Sequence, residues 1–203
     1  MTRRRLVLAS GSAGRLRVLR GAGIDPEVVV SGVDEATHGD LATVAAVAVL
    51  AERKAVAVAA RRPGALVLGC DSMLDLDQRA FGKPASAAAA GQMWRRLSGR
   101  EATLCTGHCL IDAGDGRRVL DVARTVVRFG TPTDAEIAAY VASGEPLATA
   151  GGFTIDGLGA PFVDGIDGDP GNVIGLSLPL LRRMLAGLGV PITDLWRGKR
   201  PGQ

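Results

Sequence analysis

Aromatic side chains are nearly missing from this chain: four Phe, two Trp and one Tyr make up 3% of 203 residues. A surface that stacks successive nucleobases needs more rings than that. The formal net charge is only +3, and no Lys/Arg run is longer than Arg3-Arg4-Arg5, so no nucleic-acid polymer is expected as a partner. Histidine is reduced to His38 and His108, too few and too isolated for zinc. Cys70, Cys105 and Cys109 are odd in number and lack CxxC spacing. They read as small buried apolar residues rather than a disulfide framework. Long apolar runs are missing too. The opening Arg3-Arg4-Arg5 is followed by only four apolar residues, short of a signal-peptide core, and no stretch has the length of a transmembrane helix. The expectation is a cytoplasmic protein that meets no membrane.

What is present is ordinary for a globular protein: 47% hydrophobic and 22% charged residues. The core must be built from Ala, Val, Leu and Ile, and residues 1–203 are taken as a single domain, with room for two intimately packed lobes. Leu6 to Ala9, Val28 to Val30 and Leu66 to Gly69 read as short buried strands, the third delivering Asp71 at its carboxyl end. Between them lie a helix capped by Ser12 and closed by Gly23, and an Ala/Val helix from Asp40 to Ala60. Alternating strand and helix argue α/β architecture with the site at strand ends. Further on, Ser86 caps a helix to about Leu97. Thr103 to Asp112 and Val119 to Phe129 flank a glycine-bearing turn and read as a long antiparallel hairpin. Thr133 and Glu136 form a capping box on a helix that Gly144 ends. Residues 151–175 hold eight glycines, which predicts a loop shaped around a ligand rather than regular structure. Leu176 to Leu188 is a last helix, and the tail after Trp196 is expected to be mobile.

Four charged groups stand just after strand-like runs or in loops. They are Arg15 in Leu8-Ala-Ser-Gly-Ser-Ala-Gly-Arg15, Glu35 in Val33-Asp34-Glu35, Asp71 in Gly69-Cys70-Asp71-Ser72, and Lys83 in Phe81-Gly82-Lys83-Pro84. Two carboxylates offer hard oxygen ligands to Mg²⁺ or Mn²⁺, and two cations with exposed amides offer positive charge to phosphate oxygens. The small residues Ser10 to Gly14 open a helix, where unpaired amides and the macrodipole attract anions. Each residue also has an ordinary structural reading. Ser10 to Arg15 can be a plain strand–helix turn with a capping serine, although a cation in the first turn opposes the dipole and needs a reason. Asp71 can be a turn residue, Glu35 a solvated loop acid, and Lys83-Pro84 a surface turn. Lys54, beside Glu52 and Arg53, reads by default as part of a solvated helix face. Arg15 and Lys83 are expected to be solvated unless phosphate is bound.

Order and context add what single residues lack. Leu-Ala-Ser-Gly-Ser-x-x-Arg15, Val-Asp-Glu35, Ala-Glu-Arg-Lys54-Ala, Gly-Cys-Asp71-Ser, Gly-Lys83-Pro, Leu-Ser-Gly-Arg100, Ser-Gly-Glu145-Pro, Ala-Gly-Gly-Phe153-x-Ile-x-Gly and Val-Ile-Gly175-Leu-Ser-Leu follow one another in register. From about Leu6 to Leu188 the chain resembles the Maf family of nucleoside triphosphate pyrophosphatases. The resemblance implies an α/β fold with a mixed sheet and two lobes around a deep central cleft, akin to inosine triphosphate pyrophosphatase, and commonly a homodimer. It implies cleavage of a nucleoside triphosphate between the α and β phosphates with a divalent metal cation, Mg²⁺ or Mn²⁺. Such an enzyme clears unwanted or modified nucleotides. A regulator of septum formation that binds nucleotide with little turnover is the alternative.

Carried over by motif, Asp71 matches the catalytic acidic residue and Glu35 the second carboxylate, the pair serving as metal ligands. Ser10, Arg15, Lys54 and Lys83 match phosphate-handling positions. Gly14, Ser72 and Asp156 fall on base-pocket positions where this chain departs from the family. Gly14 stands where an arginine is common, Ser72 where Thr is common, and Asp156 where the pyrimidine-triphosphate branch has Gln. Losing the arginine at Gly14 is expected to leave a gap, and ionised Asp156, acceptor-only, is expected to favour bases presenting N–H donors.

Overall fold

The computed structural model describes residues 4–35 and 41–197. Its centre is one open, mixed sheet of seven strands: β1 (Leu6–Leu8), β2 (Glu27–Val28), β3 (Leu66–Leu76), β4 (Arg79–Phe81), β5 (Glu101–Asp112), β6 (Arg118–Phe129) and β7 (Val163–Asp167). The spatial order is β2-β1-β3-β5-β6-β7, with β4 on β3. β1 runs parallel to β2 and β3, and the remaining pairs are antiparallel. Among the described residues six α-helices surround it: α1 (Ala13–Gly21), α2 (Thr43–Ala59), α3 (Ala87–Leu97), α4 (Asp134–Ala142), α5 (Pro170–Ile174) and α6 (Leu178–Gly187). Among the described residues no helix is long and apolar enough to cross a membrane.

Successive residues of β3 point to opposite faces, and that alternation organises the molecule. Val67 meets Val7 and Val58 beneath α2, while Leu66, Leu68 and Cys70 enter a core with Leu19, Leu181 and Leu185 on the other face. Further along that second face, Leu74 and Leu76 join Trp94, Leu104, Phe129, Ile137 and Phe153 in another core. Six of the seven rings pack here, and five of them meet edge to face, as in Trp94 against Phe129 at 5.7 Å. The scarcity of aromatics is thus concentrated into one lobe.

Helix α2 sits unusually low on its face. Ala46, Val47, Leu50, Ala51, Ala55 and Val58 recur at helical spacing and are buried. Beneath them, Gly69 of β3 and Gly107 of β5 carry no side chain. A Cβ at Gly69 would come within 2.7 Å of the Ala55 amide nitrogen, and one at Gly107 within 2.9 Å of the Ala48 nitrogen. Only glycine permits that approach.

Several boundaries differ from the sequence expectation. β2 ends at Val28, and α2 begins at Thr43, residues 41 and 42 being non-helical; the expected start at Asp40 lies outside the described residues. Asp71 does not end a strand: β3 runs unbroken from Leu66 to Leu76, because β5 pairs with it from Leu66 through Asp75. The glycine-rich stretch is not all loop. β6 supplies hydrogen-bond partners that make 163–167 a strand, and Asp169 caps the short α5 by accepting from the Gly171 amide at 2.8 Å. After Trp196, Arg197 is held, its amide donating to the Gly23 carbonyl at 2.6 Å while its side chain pairs with Asp25. The rest of the tail, like His38, lies outside the described residues. All three cysteines are free and buried, as expected; burial pushes the thiols of Cys70 and Cys109 up to about 12.

Candidate functional site

β1 stops at Leu8, opposite Leu68, and β4 begins its pairing at Leu74. β5 occupies the other side of β3 throughout, so β1 and β4 share one edge and leave Cys70 to Met73 uncovered between them. Asp71 and Ser72 stand in that gap. Being consecutive in a strand, they face opposite sides of the sheet, and each meets a cation there. A cleft of about 1010 Å³ opens around this edge, lined among others by Ser10, Gly14, Arg15, Glu35, Lys54, Asp71, Ser72, Lys83 and Asp156. All the residues singled out from sequence therefore reach one cavity.

On the α2 side, Lys54 is 5% exposed, not part of a solvated face. Its ammonium lies 2.5 Å from Asp71 Oδ1 and 2.5 Å from Glu35 Oε1. The low seat of α2 brings a lysine stem down to the strand, and an ammonium taken from water needs such partners. Glu35, in the loop after β2, keeps a largely exposed side chain. Burial raises the Asp71 carboxyl above its usual range, and Lys54 and Arg15 pull it back only in part. For Glu35, burial also pushes upward, but Lys54, with Lys83 and Arg15, outweighs it and holds the carboxyl low. Lys83 is exposed on the loop after β4, as expected.

On the opposite side, Arg15 departs from expectation. Its side chain is not solvated: the residue is 8% exposed, and three of its nitrogens are engaged. Nε donates to the Gly175 carbonyl at 2.9 Å, Nη1 to Ser10 Oγ at 2.9 Å, and Nη2 to Ser72 Oγ at 3.0 Å. This is the reason the sequence withheld for a cation in the first turn. The guanidinium turns inward to oxygen acceptors instead of facing the amides of its own helix. Ser12 caps that helix, accepting from the Arg15 amide.

The far end of the cleft departs further from the sequence expectation. Gly14 leaves no gap, because a Cβ there would lie 2.9 Å from the Ile174 carbonyl oxygen at the end of α5. Asp156 is not a bare acceptor: Arg17 donates to its Oδ2 at 2.6 Å, so donor and acceptor stand side by side. Glu145, quoted only within a motif, organises this end. Its carboxylate accepts from Tyr140 Oη at 2.9 Å, Thr154 Oγ1 at 2.6 Å, and the amides of Leu158 and Gly159 at 3.0 Å each. Burial would raise Glu145, yet these donors hold it below its usual range. A carboxylate directly after Gly144, with no cation nearby in sequence, was the available signal. Arg17 had none, since its partner lies 139 residues away in irregular backbone.

The chain is similar to known proteins along nearly its whole length. The family model described as Maf-like protein matches residues 5–188. A protein of Streptomyces coelicolor named nucleoside triphosphate pyrophosphatase is 62% identical over 196 residues, covering 96% of this chain and 95% of its own. One of the same name from Streptomyces avermitilis is 59% identical with the same coverage. Another, from Salinispora tropica, is 55% identical over 95% of this chain and 87% of its own.

Proposed function

The chain belongs to the Maf-like family, and from that premise we propose that it hydrolyses nucleoside triphosphates to the monophosphate and pyrophosphate. The observation that carries the reading is the charge arrangement at the uncovered edge of β3. Lys54 joins Asp71 and Glu35, with Arg15 and Lys83 bordering the same cleft. Three cations against two carboxylates suit a polyphosphate.

In this reading a water attacks the α-phosphorus, and the bond to the α,β-bridging oxygen breaks as pyrophosphate departs. Asp71 orients the water and takes its proton, a role favoured by a carboxyl whose pKa burial has raised. Arg15 has five N–H donors, of which three are committed within the protein, leaving two for phosphate oxygens. Lys83, exposed on the loop after β4, suits the outer phosphates. Ser10 keeps Arg15 in line, and Lys54 holds the two carboxylates in register.

Asp71 and Glu35 also fit a divalent cation, because their oxygens already converge on one positive charge, the Lys54 ammonium. Among the described residues no three His, Cys, Asp or Glu side chains form a closed cage. Mg²⁺ commonly uses one or two carboxylates and completes its shell with waters and substrate phosphates. Such an ion, Mg²⁺ or Mn²⁺, would neutralise phosphate charge and acidify a coordinated water. The reading extends to a single-domain, homodimeric enzyme that clears unwanted or modified nucleotides in the cytoplasm.

The test is pyrophosphate release from a panel of common and modified triphosphates, with Mg²⁺ and with Mn²⁺. Monophosphate and pyrophosphate in equal amounts are expected. Release of orthophosphate, or binding without turnover across the panel, would refute it.

A further inference from the structure

Thr106, in the middle of β5, is fully buried and lies opposite Ser72 in the β3–β5 ladder. Its hydroxyl is 2.9 Å from Ser72 Oγ and donates to the Asn172 carbonyl at 3.3 Å. We propose that Thr106 is a positioning residue for Arg15, acting through Ser72. The proposal rests on the reading of Arg15 as a phosphate-binding group.

Donor counting sets the direction of every bond in this chain. A guanidinium can only donate and a backbone carbonyl can only accept. Thr106 has one hydrogen and gives it to Asn172, so Ser72 must give its own hydrogen to Thr106. Ser72 then presents lone pairs to Arg15 Nη2 and has no hydrogen left for the cleft. Two hydroxyls are thus locked into one orientation, each strengthening the next. The far end is fixed as well. The Asn172 side chain is buried and donates to the Leu104 carbonyl and to Thr125 Oγ1, both at 3.1 Å. The same Asn172 carbonyl accepts from the Gly175 amide at 2.9 Å, and the Gly175 carbonyl receives Arg15 Nε. Two of the three Arg15 anchors therefore end on α5. Without the Thr106 hydroxyl, the Ser72 hydrogen is free to turn toward Arg15, replacing attraction with a donor facing a donor. The two uncommitted guanidinium hydrogens would then lose their aim.

The test compares Thr106→Val with Thr106→Ser in the full-length protein, each alone and combined with Arg15→Ala. The readouts are KM for a triphosphate, kcat, the inhibition constant of inorganic pyrophosphate, and the melting temperature. Thr106→Val is expected to raise KM and the pyrophosphate inhibition constant about tenfold, the scale of one hydrogen bond to a charged group. Thr106→Ser, which keeps the hydroxyl, should stay within about twofold on the same reasoning. In the Arg15→Ala background Thr106→Val should add nothing. An equal factor in both backgrounds, or wild-type pyrophosphate affinity in Thr106→Val, would overturn the proposal while leaving Arg15's own role intact. If Arg15→Ala alone leaves kinetics unchanged, the phosphate reading of Arg15 fails, and this proposal with it. Should Thr106→Val not fold, Thr106→Ala adds no bulk and carries the same comparison.

Discussion

The two ends of the cleft are built by opposite means. At the Asp71 end, the charges stand on a strand, two helices and the loops after β2 and β4; Asp71 and Lys54 are buried as a pair, and Arg15 is buried among its own oxygen acceptors. At the Asp156 end, the polar groups stand on irregular backbone wrapped around Glu145, and the link to α1 is an ion pair with Arg17 mostly exposed. Removing one member of a buried pair strands the other in a poor solvent, whereas an exposed pair breaks at little cost. The first end is therefore intolerant of change, and the second is adjustable.

The largest effect should come from Asp71→Asn. The amide keeps the shape but cannot take a proton, and turnover should fall by a factor of about 10² to 10⁴. Lys54 retains Glu35, so the variant should still melt cooperatively. A rate above about a tenth of wild type would break the assignment, given the usual size of such losses.

Glu145→Gln probes the other end. One oxygen becomes an NH₂ facing amide donors, and leaving such groups unpaired costs about 1–3 kcal/mol. The expected signature is a flattened preference among triphosphates, measured as ratios of kcat/KM, with kcat for the best substrate nearly kept. Equal losses on every triphosphate would mean that the two ends are not separable.

His108 tests how rigid the buried floor is. Its Nε2 accepts from the Ser177 amide and its Nδ1 bonds the Thr106 carbonyl, both at 2.9 Å. Burial lowers its pKa to about 4, with Arg15 pressing the same way and the bond to the Thr106 carbonyl, then Asp121 and Asp169, opposing. A depressed histidine contributes fully above its unfolded pKa and loses that contribution as pH falls. Between about 6.5 and 4 the unfolded chain alone takes up the proton, so stability should decline by roughly 1.4 kcal/mol per pH unit. Urea midpoints across that window should show the slope, and His108→Gln should remove it.

Arg17→Ala should do least. An exposed pair contributes about 0–1 kcal/mol, so melting should barely move. Any change in KM should shrink at high ionic strength. A large, salt-insensitive loss would place this rim among the buried, intolerant groups.

Local signals in the sequence carried much of the fold. Ser12, Ser86 and the Thr133–Glu136 box cap helices where expected, and the hairpin of β5 and β6 follows its alternation and turn. What escaped was decided at long range. Cys70-Asp71-Ser72 looks like a turn until β5 is seen bonding through it. β7 exists because β6 pairs with it, despite its glycine. Lys54 has the neighbours of a surface lysine, and its burial is set by glycines on two strands. Thr106 reads as one more β-branched strand residue until Ser72 appears opposite.

Gly69 and Gly107 deserve a different description from the one their conformational freedom suggests. They let the backbone of α2 lie directly against the sheet, and the Lys54 stem reaches from there to the Asp71 carboxylate. A single methyl group at either position would act as a shim. The helix would rise, and the ammonium would withdraw from Asp71 although no charged residue had been touched. The spacing of the charges is thus recorded in two side chains that are not there.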